Sequence, residues 1–221
     1  MDKTTSDSHE EIKQAQERFK QFKQTESVLN EEGRKLLFLE ARSQNGWLDR
    51  PVDEEKLREI YDLAKMGATS MNGSPAHFTF ITSPEGKERL RPAILPFNLE
   101  KIMTAPVIVI IAHDNKFYRN LERLFPHSPD ADSLFKNNNQ LAEITAFRNG
   151  TLQGAYLMLA ARALGIDCGP MSGFDNIAVD KEFFSNTSLK SNFLCCLGYG
   201  DPEKIYNRFP RLEFSDACQL I

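Results

Sequence analysis

The side chains of this sequence that could do acid–base, nucleophilic or metal chemistry stand apart from the partners such chemistry needs. His113 adjoins Asp114 and His127 comes later, but neither spacing is that of a metal-ligand set, so these read as surface residues. Cys195 and Cys196 are adjacent in an apolar run with no charged neighbour to make a thiolate, which favours core packing. Gly198-Tyr199-Gly200 invites comparison with a dinucleotide fingerprint. Glu203 holds the third glycine position, Pro202 precedes it, and no long helix comes after, so the fingerprint is rejected. A nucleophile elbow and a Walker loop are both absent. This leaves chemistry carried by a bound cofactor, with the protein supplying binding and electrostatics.

Two stretches have the composition to hold a ligand. Gly169-Pro170-Met171-Ser172-Gly173 is expected to be a sharp turn rich in free backbone N–H groups. Ala68 to Pro75 reads as a loop of hydroxyls, one amide and one glycine. The element that must position them is a helix from about Gln140 to Leu164, roughly 37 Å long at about 1.5 Å per residue. Leu141, Ile144, Leu152, Ala155, Leu159 and Ala163 keep its period, and Gly165 stops it. Gly150 and Gly154 sit inside it one turn apart. Each costs about 1 kcal/mol against Ala, so a close approach by another backbone is expected there, placed across a subunit interface.

Around that helix the pattern gives helices over Glu32–Arg42 and from an Asp53 N-cap through Leu63, where Glu54 and Glu55 favour the helix dipole. Strands are expected at His77–Thr82, Pro106–Ala112 and Phe193–Gly200, short helices at Gly86–Arg91 and Val179–Phe184, and a polar surface excursion over 115–139. Long helices without regular βα alternation predict an α+β fold. Residues 1–28 form a polar arm, with Ile12, Ala15, Phe19 and Phe22 marking an amphipathic stripe, and 29–221 form the main domain. With 221 residues, 41% hydrophobic and 26% charged, one sizeable core is expected. A net charge of −4 implies no general nucleic-acid affinity. No signal-peptide core or membrane-spanning run is visible and the four cysteines form no disulfide framework, so no membrane and a cytoplasmic location are expected.

Several of these segments together resemble the nitroreductase-like FMN oxidoreductases: Arg42-Ser43-x-Asn45-x-Trp47, Ser70-Met71-Asn72-Gly73-Ser74-Pro75, and Gly165 through Pro170-Met171-Ser172-Gly173. Ala41-Arg42-Ser43-Gln44-Asn45-Gly46-Trp47, Phe125-Pro126-His127, Thr145-Ala146-Phe147-Arg148-Asn149, Gly169-Pro170-Met171-Ser172-Gly173-Phe174-Asp175 and Leu189-Lys190-Ser191-Asn192 are similar to the branch containing the malonic semialdehyde reductase. The resemblance implies a mainly antiparallel or mixed sheet flanked by helices, an intertwined homodimer, and FMN at its interface. Arg42 and Ser43, with Arg211 and Arg208, match the phosphate contacts; a dianion wants guanidinium and hydroxyl donors. Asn72 stands where the family places an amide at the flavin pyrimidine edge, with Ser70 beside it. Pro170, Met171, Ser172 and Gly173 stand where backbone N–H groups face flavin N5. Asn45, Ser74 and Ser172 depart from the Arg or Lys, Gln and Glu that many members carry.

The implied reaction is hydride transfer from NADH or NADPH through the flavin to a small-molecule electron acceptor. The branch implies malonic semialdehyde reduced to 3-hydroxypropionate, with Arg148 as candidate anchor for its carboxylate; a structural ion pair is the other reading of Arg148. Two further functions remain open, a nitroaromatic or quinone reductase and a flavin-binding protein without turnover.

Overall fold

The computed structural model describes residues 3–25 and 28–221. Helix α1 (Lys3–Gln24) carries Ile12, Phe19 and Phe22 exposed on its surface. Helix α2 (Glu31–Arg34) continues as a π-helical stretch over Lys35–Leu39, so this region ends three residues before the expected Arg42. Helix α3 (Glu54–Ala64) starts where Asp53 accepts a 2.8 Å hydrogen bond from the Lys56 N–H, the expected N-cap. Then come β1 (Ala76–Ile81), α4 (Pro84–Leu90), α5 (Pro96–Thr104) and β2 (Val107–Asp114). Short helices α6 (Leu121–Leu124) and α7 (Ser133–Lys136) lead into α8 (Asn139–Ala163). The chain closes with β3 (Asp167–Met171), α9 (Asn176–Phe183), β4 (Leu189–Gly198) and α10 (Phe214–Ala217).

The four strands form one sheet in the order β1-β2-β4-β3, every neighbour antiparallel. The fold is α+β, as the pattern of elements implies. β2 is an unbroken apolar run although antiparallel, because helices cover both of its faces. Strand alternation sends Ile108, Ile110 and Ala112 to one core with Leu90, Ile102 and Val179. Val107, Val109 and Ile111 go to the other with Leu57, Ile60, Leu157 and Ala161. The same alternation sends the adjacent Cys196 and Cys195 to opposite cores, both fully buried, so they pack rather than react. Each buried Ile or Leu contributes about 1.5–3 kcal/mol relative to exposure.

Two expectations are corrected. Residues 115–139 are more than a surface excursion: Phe117, Leu121, Ala131 and Phe135 make a third core against Ala142 and Ala146 of α8. The close approach at the α8 glycines is within the chain, against the sheet. A Cβ on Gly150 would lie 2.8 Å from the His113 Cβ, and one on Gly154 would lie 2.6 Å from the Phe193 Cζ. Glycine lets α8 settle on β2 and β4. Its end is as expected, with Gly165 at φ +74° stopping the helix.

Candidate functional site

The chain leaving the π-helical stretch lies along the outer edge of β3. Ser43 pairs with Cys168 in a parallel bridge, and the Gln44 N–H donates to the Cys168 carbonyl at 2.9 Å. Trp47 bridges Gly200, and its indole N–H donates to the Lys101 carbonyl at 3.0 Å. The C-terminal segment returns over the same ground. The Arg42 guanidinium donates to the Tyr206 carbonyl, and Arg208 donates to the carbonyls of Leu39 at 2.5 Å and Ala41 at 3.1 Å. Arg42, Ser43 and Arg208 therefore belong to one cluster. Arg211 donates to the carbonyls of Phe209 and Pro210 in its own stretch and is not joined to that cluster. Among the described residues, no carboxylate pairs with these three arginines, and the side chains of Ser43 and Asn45 make no hydrogen bond. Such a set, rich in donors and free of carboxylates, can hold an anion.

The Gly169–Gly173 stretch is corrected from a sharp turn to the last residues of β3 with a two-residue extension beyond the strand. Cys168 points its backbone groups away from β4, because its carbonyl accepts from Gln44. Alternation points Pro170 the same way, which suits a residue lacking an N–H on a strand edge. The Pro170 carbonyl accepts from the Lys101 ammonium at 3.5 Å. Past the strand, the Gly173 carbonyl accepts from the Leu95 N–H and the Asn98 amide, both at 3.2 Å. Among the described residues, the N–H groups of Ser172 and Gly173 donate to no acceptor. The free donors expected here do exist, but they are confined to those two residues.

Ser70 and Asn72 form a separate cluster. Met71, Asn72 and Ser74 all sit in the left-handed region, at φ 53°, 52° and 42°. Non-glycine residues hold such angles at about 1–3 kcal/mol each, and only where their surroundings fix them. α8 supplies the fixing. The buried Asn149 accepts from the Ser70 N–H at 2.8 Å and donates to the Ser70 hydroxyl at 3.2 Å. Gln153, one turn on, accepts from the Ala76 N–H at 2.8 Å. The Asn72 amide donates to the Leu124 carbonyl at 2.8 Å, and Met71 packs on the third core. Sequence reasoning missed Asn149 and Gln153. Their signal was a polar row, Thr145, Asn149 and Gln153, at four-residue spacing.

Arg148 is exposed and, among the described residues, makes no ion pair. It lines a cleft of about 770 Å³ with Ile144, Phe147, Thr151 and Leu152 of α8, opposite His113 and Asn115. His113 is corrected from a surface residue to a buried one, 7% exposed, its ring edge-on to Phe147. Burial holds its imidazole below the ordinary range. Among the described residues no group of side chains could hold a metal ion, and no helix is long and apolar enough to cross a membrane.

A model of the family described as the Nitroreductase family matches residues 39–200. The chain belongs to the nitroreductase family. A relative from Cupriavidus pinatubonensis, with the provisional name NADH dehydrogenase/NAD(P)H nitroreductase, is 58% identical over 186 residues. That match covers 83% of this chain and 95% of the relative. A provisionally named nitroreductase from Bacillus subtilis superposes with a TM-score of 0.77 at 22% identity, covering 84% of this chain and 97% of that one. A second, from Exiguobacterium sibiricum and solved in complex with FMN, gives a TM-score of 0.73 at 20% identity, covering 89% of this chain and 100% of that one. Both share the nitroreductase fold with this chain. The matched region contains the Arg42, Ser70 and Pro170 clusters and leaves Arg208 and Arg211 beyond its end.

Proposed function

We propose that this protein binds FMN and passes hydride from NADH or NADPH to a small electrophile. Membership of the nitroreductase family makes the chain an NAD(P)H-dependent flavin oxidoreductase, and the observation that carries the proposal is the family match spanning residues 39–200. Bound FMN would supply hydride acceptance and donation at its N5 atom; the chain's residues do the rest. Their donor set fits it. Arg42, Ser43 and Arg208 suit the phosphate dianion, and Arg211 becomes a contact if the C-terminal stretch turns toward that cluster. The free N–H groups of Ser172 and Gly173, next after Pro170 and the buried Met171, suit the N5 edge of the ring. Asn72 commits its NH2 to Leu124 and keeps its carbonyl for a ring N–H, with Ser70 fixing its loop. The unpartnered Asn45 amide adds a donor near the phosphate cluster.

We also propose a homodimer. Ile144, Phe147, Leu152 and Tyr156 expose apolar surface along α8, and a second copy is the occupant that would cover it. No hydrogen bond among the described residues joins the Ser70–Asn72 cluster to the Arg42 or Ser172 clusters. A second copy can supply one of them to the other. Residues 1–28 are proposed as an arm outside the FMN-binding domain, 29–221.

The proposed acceptor is malonic semialdehyde, reduced to 3-hydroxypropionate, with Arg148 as anchor for its carboxylate; this rests on the five branch-like segments. The second reading is a nitroaromatic or quinone reductase, favoured by the name of the 58% identical relative. The test is a panel: the FMN-loaded protein is bleached with NADH or NADPH, then reoxidised with the semialdehyde, a nitroaromatic or a quinone. Fastest reoxidation by the semialdehyde supports the first reading. Reoxidation only by nitroaromatics or quinones replaces it with the second, and no bleaching at all leaves a flavin-binding protein without turnover.

A further inference from the structure

Lys101 is the buried cation that the site so far leaves unexplained. It is 8% exposed, at the middle of α5, and no carboxylate pairs with it among the described residues. Its ammonium has one acceptor, the Pro170 carbonyl, at the long distance of 3.5 Å. Its stem fills the space where Gly169 has no side chain: a Cβ there would lie 2.7 Å from the Lys101 Cε, 2.9 Å from the Gln44 carbonyl oxygen and 3.0 Å from the Trp47 ring. The neighbouring Cys196 thiol does not compensate the charge, because burial pushes it up to about 12. Burial in turn lowers the Lys101 ammonium from its ordinary range. A buried cation short of partners destabilises a fold unless something electron-rich completes it.

The surroundings name the candidate. Lys101 is held between the segment carrying Ser43 and Gln44 and the end of β3, where Pro170 stands one residue before Met171 and two before the free Ser172 N–H. An apolar side chain on this floor would leave the Pro170 carbonyl without its donor.

We propose that Lys101 is a positioning residue for the flavin: through the Pro170 carbonyl it sets the end of β3, and its charge favours the electron-rich reduced ring over the oxidised one. The proposal rests on the FMN reading above. It places a bias toward reduced flavin on a residue behind the strand, not on one facing the ligand.

The experiment uses the full chain with Lys101→Met and Lys101→Arg, measuring FMN affinity, flavin reduction potential and the melting temperature of the FMN-free protein. Lys101→Met should bind reduced FMN about tenfold more weakly relative to oxidised FMN, a potential about 30 mV lower for a two-electron couple. Its FMN-free melting temperature should be unchanged or higher, since an uncompensated buried charge has gone. Lys101→Arg, keeping the charge, should hold the potential near that of the unmodified protein. An unchanged potential in Lys101→Met overturns the proposal. So does a lower FMN-free melting temperature with equal loss of both flavin forms, which marks a purely structural lysine. If the unmodified chain binds no FMN, the underlying reading fails first, and this one with it.

Discussion

Asn149→Ala isolates how the strained loop is held. The change removes two hydrogen bonds to Ser70, at 2.8 and 3.2 Å, and leaves the Ser70 N–H without its acceptor. The third bond, from the Asn149 amide to the Thr145 carbonyl at 2.8 Å, is local to α8, and its loss matters less. At about 0.5–1.5 kcal/mol per bond, the two fastenings are worth roughly 1–3 kcal/mol. The loop stores strain at Met71, Asn72 and Ser74 of about 1–3 kcal/mol at each residue, at least as large as the two fastenings, so this loss should appear as local opening. Native-state hydrogen exchange is the assay. The amides of Ser70, Asn72, Gly73 and Ser74, which donate to Asn149, Thr69, Ser70 and the Thr69 hydroxyl, should exchange about 5–150-fold faster. Strand β2 should be unaffected. The melting temperature should fall by less than the roughly 2–4 °C per kcal/mol that a global loss gives in a chain of this size. Unchanged exchange at Ser70–Ser74 with a full global loss would refute the reasoning and make Asn149 an ordinary core residue. Asn149→Asp is the graded control, able to accept from the Ser70 N–H but not to donate to its hydroxyl.

Other outcomes rest on the same geometry. Gly154→Ala places a methyl 2.6 Å from the Phe193 Cζ and 3.1 Å from the Ile111 Cγ2, so a urea melt should show a net loss of about 1–2 kcal/mol despite the better helix propensity; equal or greater stability would contradict the close seating of α8. Arg42→Ala should weaken FMN by about 1.5–3 kcal/mol in a calorimetric titration, and Arg211→Ala should do so only if the C-terminal stretch rearranges on binding. Acid should destabilise the fold through His113, whose burial lowers its imidazole. As pH falls below about 6.5 the unfolded chain takes up protons first, so stability held above that value is lost towards the lower folded-state value. Urea midpoints at pH 7.5 and 5.5 should differ, with a smaller difference in His113→Asn; identical slopes would remove His113 from the account.

The fold was legible where one physical signal dominated. The unbroken apolar run gave β2, the helical period gave α8 within a residue of each end, and Asp53 and Gly165 did what cap residues do. The candidate site was legible as separate segments but not in their joins. Ser70 and Asn72 were visible as a ligand-type loop, yet their left-handed backbone depends on Asn149, which is 79 residues away from Ser70 in sequence. Gly169–Gly173 looked like a turn because Gly and Pro mark turns, but on an edge strand Pro gives up a hydrogen bond that nothing would have used. Gly150 and Gly154 announced a close neighbour without saying which, and the sheet proved to be that neighbour. Lys101 gave no sign at all, since a lysine on a short helix reads as surface until its surroundings are known.

The small third core has a bearing on how this chain could diversify. Residues 115–138 fold around Phe117, Leu121 and Phe135 as a miniature module resting on α8, and they touch the strained loop through Met71 and the Asn72–Leu124 hydrogen bond. Changes in its outward residues, Pro126 and His127 among them, fall outside the two sheet-facing cores. A library randomised there could therefore explore new acceptors while the residues proposed for the phosphate and ring edge, and α8, stay as they are.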